Sequence, residues 1–207
     1  MTKPMRLLAL IFTPVLLAAC GPRDVPADTV KSDRHSFRIA TLAEGLNHPW
    51  GMAFLPGGAM LITERSGRLR LLKDGTLDPR PIGGMPDVVE SGQGGLFDVL
   101  PHPGFSDNRW LYVSYSARGE GGTHTRVMRF VFDEAAHRLN DGKVIFDAEP
   151  KASGGRHFGG RMVFDRNGFL FITLGDRGDM ERAQKLNDHS GSVIRLRDDG
   201  TVPADNP

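Results

Sequence analysis

Cysteine is nearly absent from this 207-residue sequence, in which Cys20 stands alone. With one thiol the chain cannot close an intramolecular disulfide, so a disulfide framework is excluded. An excess of charge of one sign is lacking too, because Lys+Arg 26 and Asp+Glu 25 leave a formal net charge of +1. That balance offers no electrostatic reason for a nucleic acid or a polyacidic partner, and neither is expected.

Several signature motifs of common enzyme classes are also missing. The chain contains no G-x-x-x-x-G-K-S/T, no H-E-x-x-H and no C-x-x-C. Its glycine-rich stretches at residues 92–95 and 119–122 do not open a helix after a parallel strand, so a dinucleotide fold is not indicated. After residue 19 no segment sustains helical periodicity over about 11 residues, which argues against a helical bundle.

The one long apolar run, residues 7–19, is too short for a membrane-spanning helix, which needs about 20 residues. Lys3 and Arg6 precede it, as in a secretory signal. The run ends in Leu-Ala-Ala-Cys-Gly, which resembles a bacterial lipobox, where cleavage leaves the cysteine N-terminal and lipid-modified. Residues 1–19 are therefore predicted to be a lipoprotein signal peptide and Cys20 the lipidation site. The alternative is a plain signal peptide with an accidental cysteine.

The sequence around this junction also suggests a location. Gly21 after the cysteine resembles lipoproteins that are sorted to the outer membrane. Residues 20–36 are polar and are expected to be a tether. We therefore expect the protein on the periplasmic side of a bacterial envelope, touching the membrane only through a lipid anchor.

Glycine and proline are abundant, at 26 and 14 residues, and they predict many turns and short strands. Residues 52–63 and 162–173 share one pattern, an apolar strand, a tight turn and a second strand ending in Thr, and residues 97–114 carry a looser copy. Such repeats predict an all-β propeller with about three blades present. Residues 37–207 are thus expected to be the N-terminal half of a propeller domain. A homodimer of half-rings is the alternative.

Three clusters of polar residues and glycine flank the inner strands of the repeat, at residues 90–96, 153–161 and 174–179. Antiparallel alternation should bring them to one mouth of the channel, where they would form a ligand site. Their candidate functional residues are Gln93, His157, Arg161 and Asp176. Alternatively, His157 caps a turn, Arg161 is structural and Asp176 belongs to a solvated loop. The remaining histidines are expected to be structural: His35, His48, His102, His124, His137 and His189.

At these clusters the sequence resembles the soluble quinoprotein sugar dehydrogenases, in their aldose sugar dehydrogenase branch. The resemblance covers about residues 37–207. The matching stretches are residues 48–54, 92–96, 102–105, 156–161, 172–178 and 199–207. It implies a six-bladed propeller in the full-length protein, with pyrroloquinoline quinone (PQQ) over its mouth and a calcium ion polarising the quinone.

The resemblance also implies residue roles. His157 matches the histidine that takes a proton from the anomeric hydroxyl while a hydride passes from sugar C1 to the quinone. Asp176 matches a carboxylate that orients this histidine and is predicted to be catalytic with it. Gln93 matches the glutamine that binds the cofactor, and Gln93, His157 and Arg161 are the predicted cofactor contacts.

One residue departs from the family pattern, and some functional residues are not in this sequence. The glucose dehydrogenase branch has Asp before the catalytic histidine, where this chain has Arg156, which fits the broader-specificity aldose branch better. Calcium ligands and the remaining PQQ-binding residues are expected beyond residue 207, with no metal ligand in the present chain. The 207 residues alone are therefore expected to be inactive.

The predicted function is PQQ-dependent oxidation of aldoses to lactones, with an electron acceptor of unknown identity. Two other readings remain open on the residues. One is a non-enzymatic propeller lipoprotein that binds envelope partners. The other is a calcium-dependent propeller lactonase, because this fold hosts many functions.

Overall fold

A computed structural model describes residues 29–206 in two compact units, divided after Thr41. The predicted signal peptide and Cys20 lie outside the described residues. In the first unit, strands β1 (Thr29–Lys31) and β2 (Ser36–Arg38) form an antiparallel hairpin. Its turn is closed by the Ser32 N–H, which donates to the His35 carbonyl over 2.8 Å. The last part of the predicted tether is thus a small hairpin.

The second unit consists of three antiparallel sheets, each a meander of consecutive strands. The first sheet has β3 (Pro49–Phe54), β4 (Met60–Glu64), β5 (Arg68–Lys73) and β6 (Thr76–Leu77). The second has β7 (Leu96–Pro101), β8 (Trp110–Gly119), β9 (Gly122–Asp133) and β10 (Arg138–Asp147). The third has β11 (Gly159–Phe164), β12 (Leu170–Leu174) and β13 (Val193–Leu196). The prediction of an all-β fold with about three blades is confirmed.

Helices are short in the part of the chain that the structure describes. Helix α1 (Phe105–Asn108) fills the insertion between β7 and β8, and a 3-10 helix (Met180–Gln184) lies between β12 and β13. Between residues 29 and 206 no helix has the length and apolar character needed to cross a membrane.

The sequence repeat corresponds to the hairpin of the first and third sheets. Met52 pairs with Ile62 and Met162 with Ile172, as the alignment of the two segments requires. Each turn is closed by the same backbone bond, from Leu55 N–H to the Ala59 carbonyl and from Asp165 N–H to the Phe169 carbonyl. The Pro-Gly and Asn-Gly turns therefore set the strand register in both copies.

In the second unit, the first strand of each of the three sheets carries a β-bulge near its beginning. The pairing shifts by one residue between Pro49 and Met52, between Leu96 and Val99, and between Gly159 and Met162. A bulge leaves one residue outside the ladder and bends the strand. All three bulges lie on the side of the sheet where the polar loops begin, so they shape the same end of the blades.

Hydroxyl groups in the second strands join neighbouring sheets at these bulges. Thr63 Oγ1 accepts the Gly51 N–H over 2.8 Å and donates to the Phe97 carbonyl of the next sheet over 2.8 Å. One sheet further, Ser114 Oγ accepts the Asp98 N–H over 3.1 Å and donates to the Gly160 carbonyl over 2.6 Å. The same device therefore fixes the spacing of the first and second sheets and of the second and third.

Two hydrophobic clusters lie on the two faces of the middle sheet. Side chains alternate along β8, so that Leu111, Val113 and Tyr115 face the first sheet while Tyr112 packs toward the third. All four are at most 2% exposed. Burial of a large apolar side chain contributes about 1.5–3 kcal/mol. The middle blade is therefore held on both faces, which makes the bulged ends a rigid platform for the loops.

Candidate active site

Three loops meet at the bulged end of the sheets. The Gln93 loop (residues 91–95) precedes β7, the His157 loop (residues 153–158) precedes β11, and the Asp176 loop (residues 175–179) follows β12. The Gln93 N–H donates to the Gly155 carbonyl over 2.7 Å, which joins the first two loops. The side chains of His157 and Asp176 join the second and third. The predicted convergence of the polar clusters at one mouth is therefore confirmed for these loops.

His157 and Asp176 form a hydrogen-bonded pair. The distance from His157 Nδ1 to Asp176 Oδ1 is 2.7 Å, and the side chains are 49% and 30% exposed. A carboxylate oxygen can only accept, so Nδ1 carries the proton and Nε2 of the neutral ring presents its lone pair. The Gly178 N–H, which also donates to Oδ1 over 2.8 Å, and then His157 lower the pKa of Asp176. The carboxylate therefore stays ionised and holds the ring in one tautomer.

Gln93 holds the backbone of the histidine. Its Oε1 accepts the His157 N–H over 2.8 Å. With the oxygen used in this way, the amide Nε2 is the atom that can donate to a ligand. His157 itself has a φ of 52°, in the left-handed region that non-glycine residues seldom adopt. The Gln93 contact thus helps to fix an unfavourable backbone conformation on which the ring direction depends.

Glycines in the clusters allow the loops to approach each other. A Cβ on Gly92 would collide with the Gly155 carbonyl, and one on Gly175 would collide with the His157 carbonyl. Glycine in such a cluster can serve the close approach of a ligand to the backbone. At these two positions the physical reason is instead contact between backbones.

The loops border a cleft of about 620 Å³. Gln93 and His157 line it together with the aromatic rings of Trp50, Phe97 and Phe158. Its lining also includes His48 and Arg65, which the sequence clusters did not single out. His48 has a φ of 48°, the same unusual backbone region as His157. A polar residue held there is a sign that the surrounding structure determines its conformation.

Arg65 supports the Gln93 loop from the end of β4. Its Nη2 donates to the Gly92 carbonyl over 2.5 Å and its Nε to the Gly94 carbonyl over 3.2 Å. Its own carbonyl accepts the Leu96 N–H over 2.9 Å. These contacts join residues about 30 positions apart, and no local sequence motif predicts them. The only available signal was a charged residue directly after an inner strand.

Arg161 lies apart from this group. It lies in the bulge of β11, and its Nη1 donates to Asp98 Oδ1 over 2.9 Å while its side chain is 62% exposed. Asp98 also accepts the Met162 N–H over 2.9 Å. Burial raises the pKa of Asp98, and the bonds from Met162 and Arg161 oppose that rise. Arg161 is not among the described residues that line the cleft, and its cofactor role stays a prediction.

Metal ligands do not cluster in the described part of the chain. Between residues 29 and 206 no group of three or more His, Cys, Asp or Glu side chains is placed to hold an ion. The groups at the mouth are an imidazole, a carboxylate, an amide and guanidinium ions. This set can move a proton and bind an anionic or polyhydroxylated ligand.

Consecutive antiparallel sheets that pack face to face, with a His–Asp pair and a cleft at one end, are typical of a β-propeller. Residues 46–207 match the glucose / sorbosone dehydrogenase family, and the chain belongs to this family. The predicted resemblance is thereby confirmed.

Individual relatives agree with this assignment. The aldose sugar dehydrogenase YliI of Escherichia coli is 42% identical over 171 residues, covering 82% of this chain and 46% of that protein. The apo structure of the soluble Escherichia coli aldose sugar dehydrogenase matches with a TM-score of 0.75 at 43% identity, over 78% of this chain and 47% of that one. The PQQ-bound form of an aldose sugar dehydrogenase from Streptomyces coelicolor matches with a TM-score of 0.73 at 29% identity, over 82% and 50%.

The chain spans about half the length of the curated relatives it matches. Three sheets in about half of the relatives' length agree with the expected ring of six blades.

Proposed function

We propose that the full-length protein is a PQQ-dependent aldose dehydrogenase that oxidises the sugar at C1 to a lactone. The observation that carries this proposal is the His157–Asp176 pair, 2.7 Å apart at the edge of a cleft of about 620 Å³. Family membership and a PQQ-bound relative support the choice of cofactor.

In this proposal His157 is the general base. Its Nε2 lone pair takes the proton of the anomeric hydroxyl, because Nδ1 is already bonded to a carboxylate. The ring then carries a positive charge, which the ionised Asp176 stabilises while it keeps the imidazole in place. A His–carboxylate pair at half-exposed depth is suited to this task, since the base must reach substrate and later release the proton to water.

The cleft residues fit a flat anionic quinone. Trp50, which is 65% exposed, supplies aromatic surface for a planar ring system, and the Arg65 guanidinium and Gln93 Nε2 supply donors for carboxylate or carbonyl oxygens. When it is bound, PQQ supplies the two-electron acceptor for the sugar. Gln93 would then act twice, through Oε1 on the His157 backbone and through Nε2 on the ligand.

Calcium is part of the same proposal. As the family resemblance implies, its ligands are proposed to lie in the full-length protein beyond residue 207. We also propose that Cys20 is lipid-modified and anchors the protein on the periplasmic side of the outer membrane. Metabolic labelling with a fatty-acid analogue, lost in Cys20→Ser, would support that anchor, and labelling retained by the variant would contradict it.

The decisive experiment measures dye reduction by a panel of aldoses with full-length protein reconstituted with PQQ and calcium. His157→Ala should lower kcat about 10²- to 10⁴-fold, the usual contribution of a positioned general base. His137→Ala is the matched control, because His137 has a similar φ of 53° in a turn remote from the cleft lining. No turnover with any aldose, or full turnover in His157→Ala, would overturn the proposal. Hydrolysis of lactones without PQQ would favour the lactonase instead.

A further inference from the structure

Arg177 follows Asp176 directly in the chain, and its side chain reaches back under the His157 loop. Its Nη1 donates to the Arg156 carbonyl over 3.1 Å, and its Nη2 donates to the Gly154 carbonyl. Its backbone N–H points at the His157 carbonyl, 3.4 Å away. One residue therefore contacts three carbonyl groups within four consecutive positions of the loop that carries the proposed base.

The guanidinium is also fixed from the other sides. Its central carbon lies 3.5 Å from the centre of the Phe158 ring, and Nη2 donates to Thr123 Oγ1 over 3.0 Å. Phe158 is only 4% exposed and ends the loop, so this stacking ties the loop to a buried side chain. A planar guanidinium can stack and donate in several directions at once, which a lysine ammonium cannot do.

The acceptors of these hydrogen bonds are all neutral oxygens. Burial lowers the pKa of Arg177 to about 10, so the side chain is still charged at neutral pH. Hydrogen bonds from a charged donor contribute more than neutral ones. A cation bonded to two loop carbonyls and one hydroxyl holds the loop without competing for the Asp176 carboxylate that His157 needs.

The loop requires such support because of its backbone. Both His157 and Arg177 lie in the left-handed region, with φ of 52° and 60°. For residues other than glycine this conformation costs about 1–3 kcal/mol each and persists only where neighbouring contacts impose it. Without the guanidinium, the side-chain hydrogen bonds that remain on the His157 loop are those with Gln93 Oε1, Asp176 Oδ1 and Thr125 Oγ1, of which only the Gln93 and Thr125 bonds hold its backbone.

We propose that Arg177 is a positioning residue for the reaction of His157. It acts by holding the backbone of the His157 loop in the conformation that aims the imidazole at Asp176 and the cleft. This inference rests on the proposed function for its catalytic consequence, whereas the holding of the loop can be tested without it.

The test uses the full-length protein with Arg177→Gln and Arg177→Lys. Arg182→Gln is the matched control, because the Arg182 guanidinium is also mostly buried but bonds to Asp188 and to the Pro150 carbonyl. In the PQQ- and calcium-loaded enzyme, both Arg177 variants should lose about 10- to 100-fold in kcat at a KM within a few fold, as expected when a base is displaced. Arg182→Gln should keep kcat, and Lys should not rescue Arg177.

A second readout needs no cofactor. Hydrogen exchange of the apoprotein should show amides of residues 153–158 exchanging at least about 10-fold faster in Arg177→Gln than in wild type or Arg182→Gln. Unchanged protection of these amides overturns the inference, and so does faster exchange with an unchanged kcat. If wild type oxidises no aldose, the proposed function fails, and the exchange result alone decides whether Arg177 holds the loop.

Discussion

Removing the hydroxyl of Thr63 should lower the free energy of unfolding, because it breaks the hydrogen bonds that join the first two sheets and leaves the shape of the side chain unchanged. Thr63 is 0% exposed, and its Oγ1 accepts from the Gly51 N–H and donates to the Phe97 carbonyl, both over 2.8 Å. Thr63→Val leaves that amide and that carbonyl buried without these partners. Each unsatisfied buried group costs about 1–3 kcal/mol, so the loss of both partners should lower the free energy of unfolding by about 2–6 kcal/mol.

Urea unfolding of the full-length protein measures this loss, with two comparison variants. Thr63→Ser keeps the hydroxyl, as Ser114 does at the same position of the next sheet, and should cost only about 1 kcal/mol for the lost methyl group. Thr76→Val makes the same substitution on the exposed edge strand and should stay within about 0.5 kcal/mol. The reasoning is refuted if Thr63→Val unfolds at the wild-type urea concentration, or if Ser is as damaging as Val.

Three further predictions concern charged and titrating groups. Asp176→Asn should lower kcat roughly 10- to 100-fold in the loaded full-length enzyme, because the imidazole loses its orienting carboxylate, and a wild-type kcat would contradict the assigned role. Asp98→Ala should cost about 2–4 kcal/mol in urea unfolding, since the Met162 N–H and Arg161 lose a buried acceptor, whereas a neutral result would show that the pair contributes nothing. Burial lowers the pKa of His102, so protonation favours the unfolded chain and stability should fall as the pH drops from about 7 to 5. The stability gap between wild type and His102→Asn should narrow over that range, and a constant gap would exclude the effect.

The hairpins were predictable because their determinants are local. A Pro-Gly or Asn-Gly turn between two apolar runs sets the register of its own strands, and this holds for Met52 with Ile62 and for Met162 with Ile172. The meeting of the Gln93, His157 and Asp176 loops was also predictable, because antiparallel strands return their ends to the same edge. The alternation of short strands therefore carries both the fold class and the outline of the site.

The supports of the site could not be predicted in the same way. Arg65 and Arg177 act through guanidinium contacts to backbone carbonyls on segments far away in the sequence. Because every residue has a backbone carbonyl, the sequence does not indicate which ones accept these bonds. In isolation, Asp176 followed by Arg177 has the pattern of a solvated loop pair, yet the arginine side chain lies against Phe158. Long-range contacts of this kind depend on the relative placement of sheets, which no local pattern determines.

The residues at the three bulges make the three sheets non-interchangeable. Gly51, Asp98 and Arg161 occupy corresponding positions beside the bulge in successive sheets, and the ladders around them pair alike. At this position the second sheet has the carboxylate of Asp98 and the third has the guanidinium of Arg161, and the two form a hydrogen bond between the sheets. The first sheet has a glycine there. Similar strand ladders thus carry different side chains at this position. If the order of the sheets were changed, the buried Asp98 would lie beside a sheet that has no Arg161 to pair with it. The order of the three sheets is therefore part of what the sequence specifies.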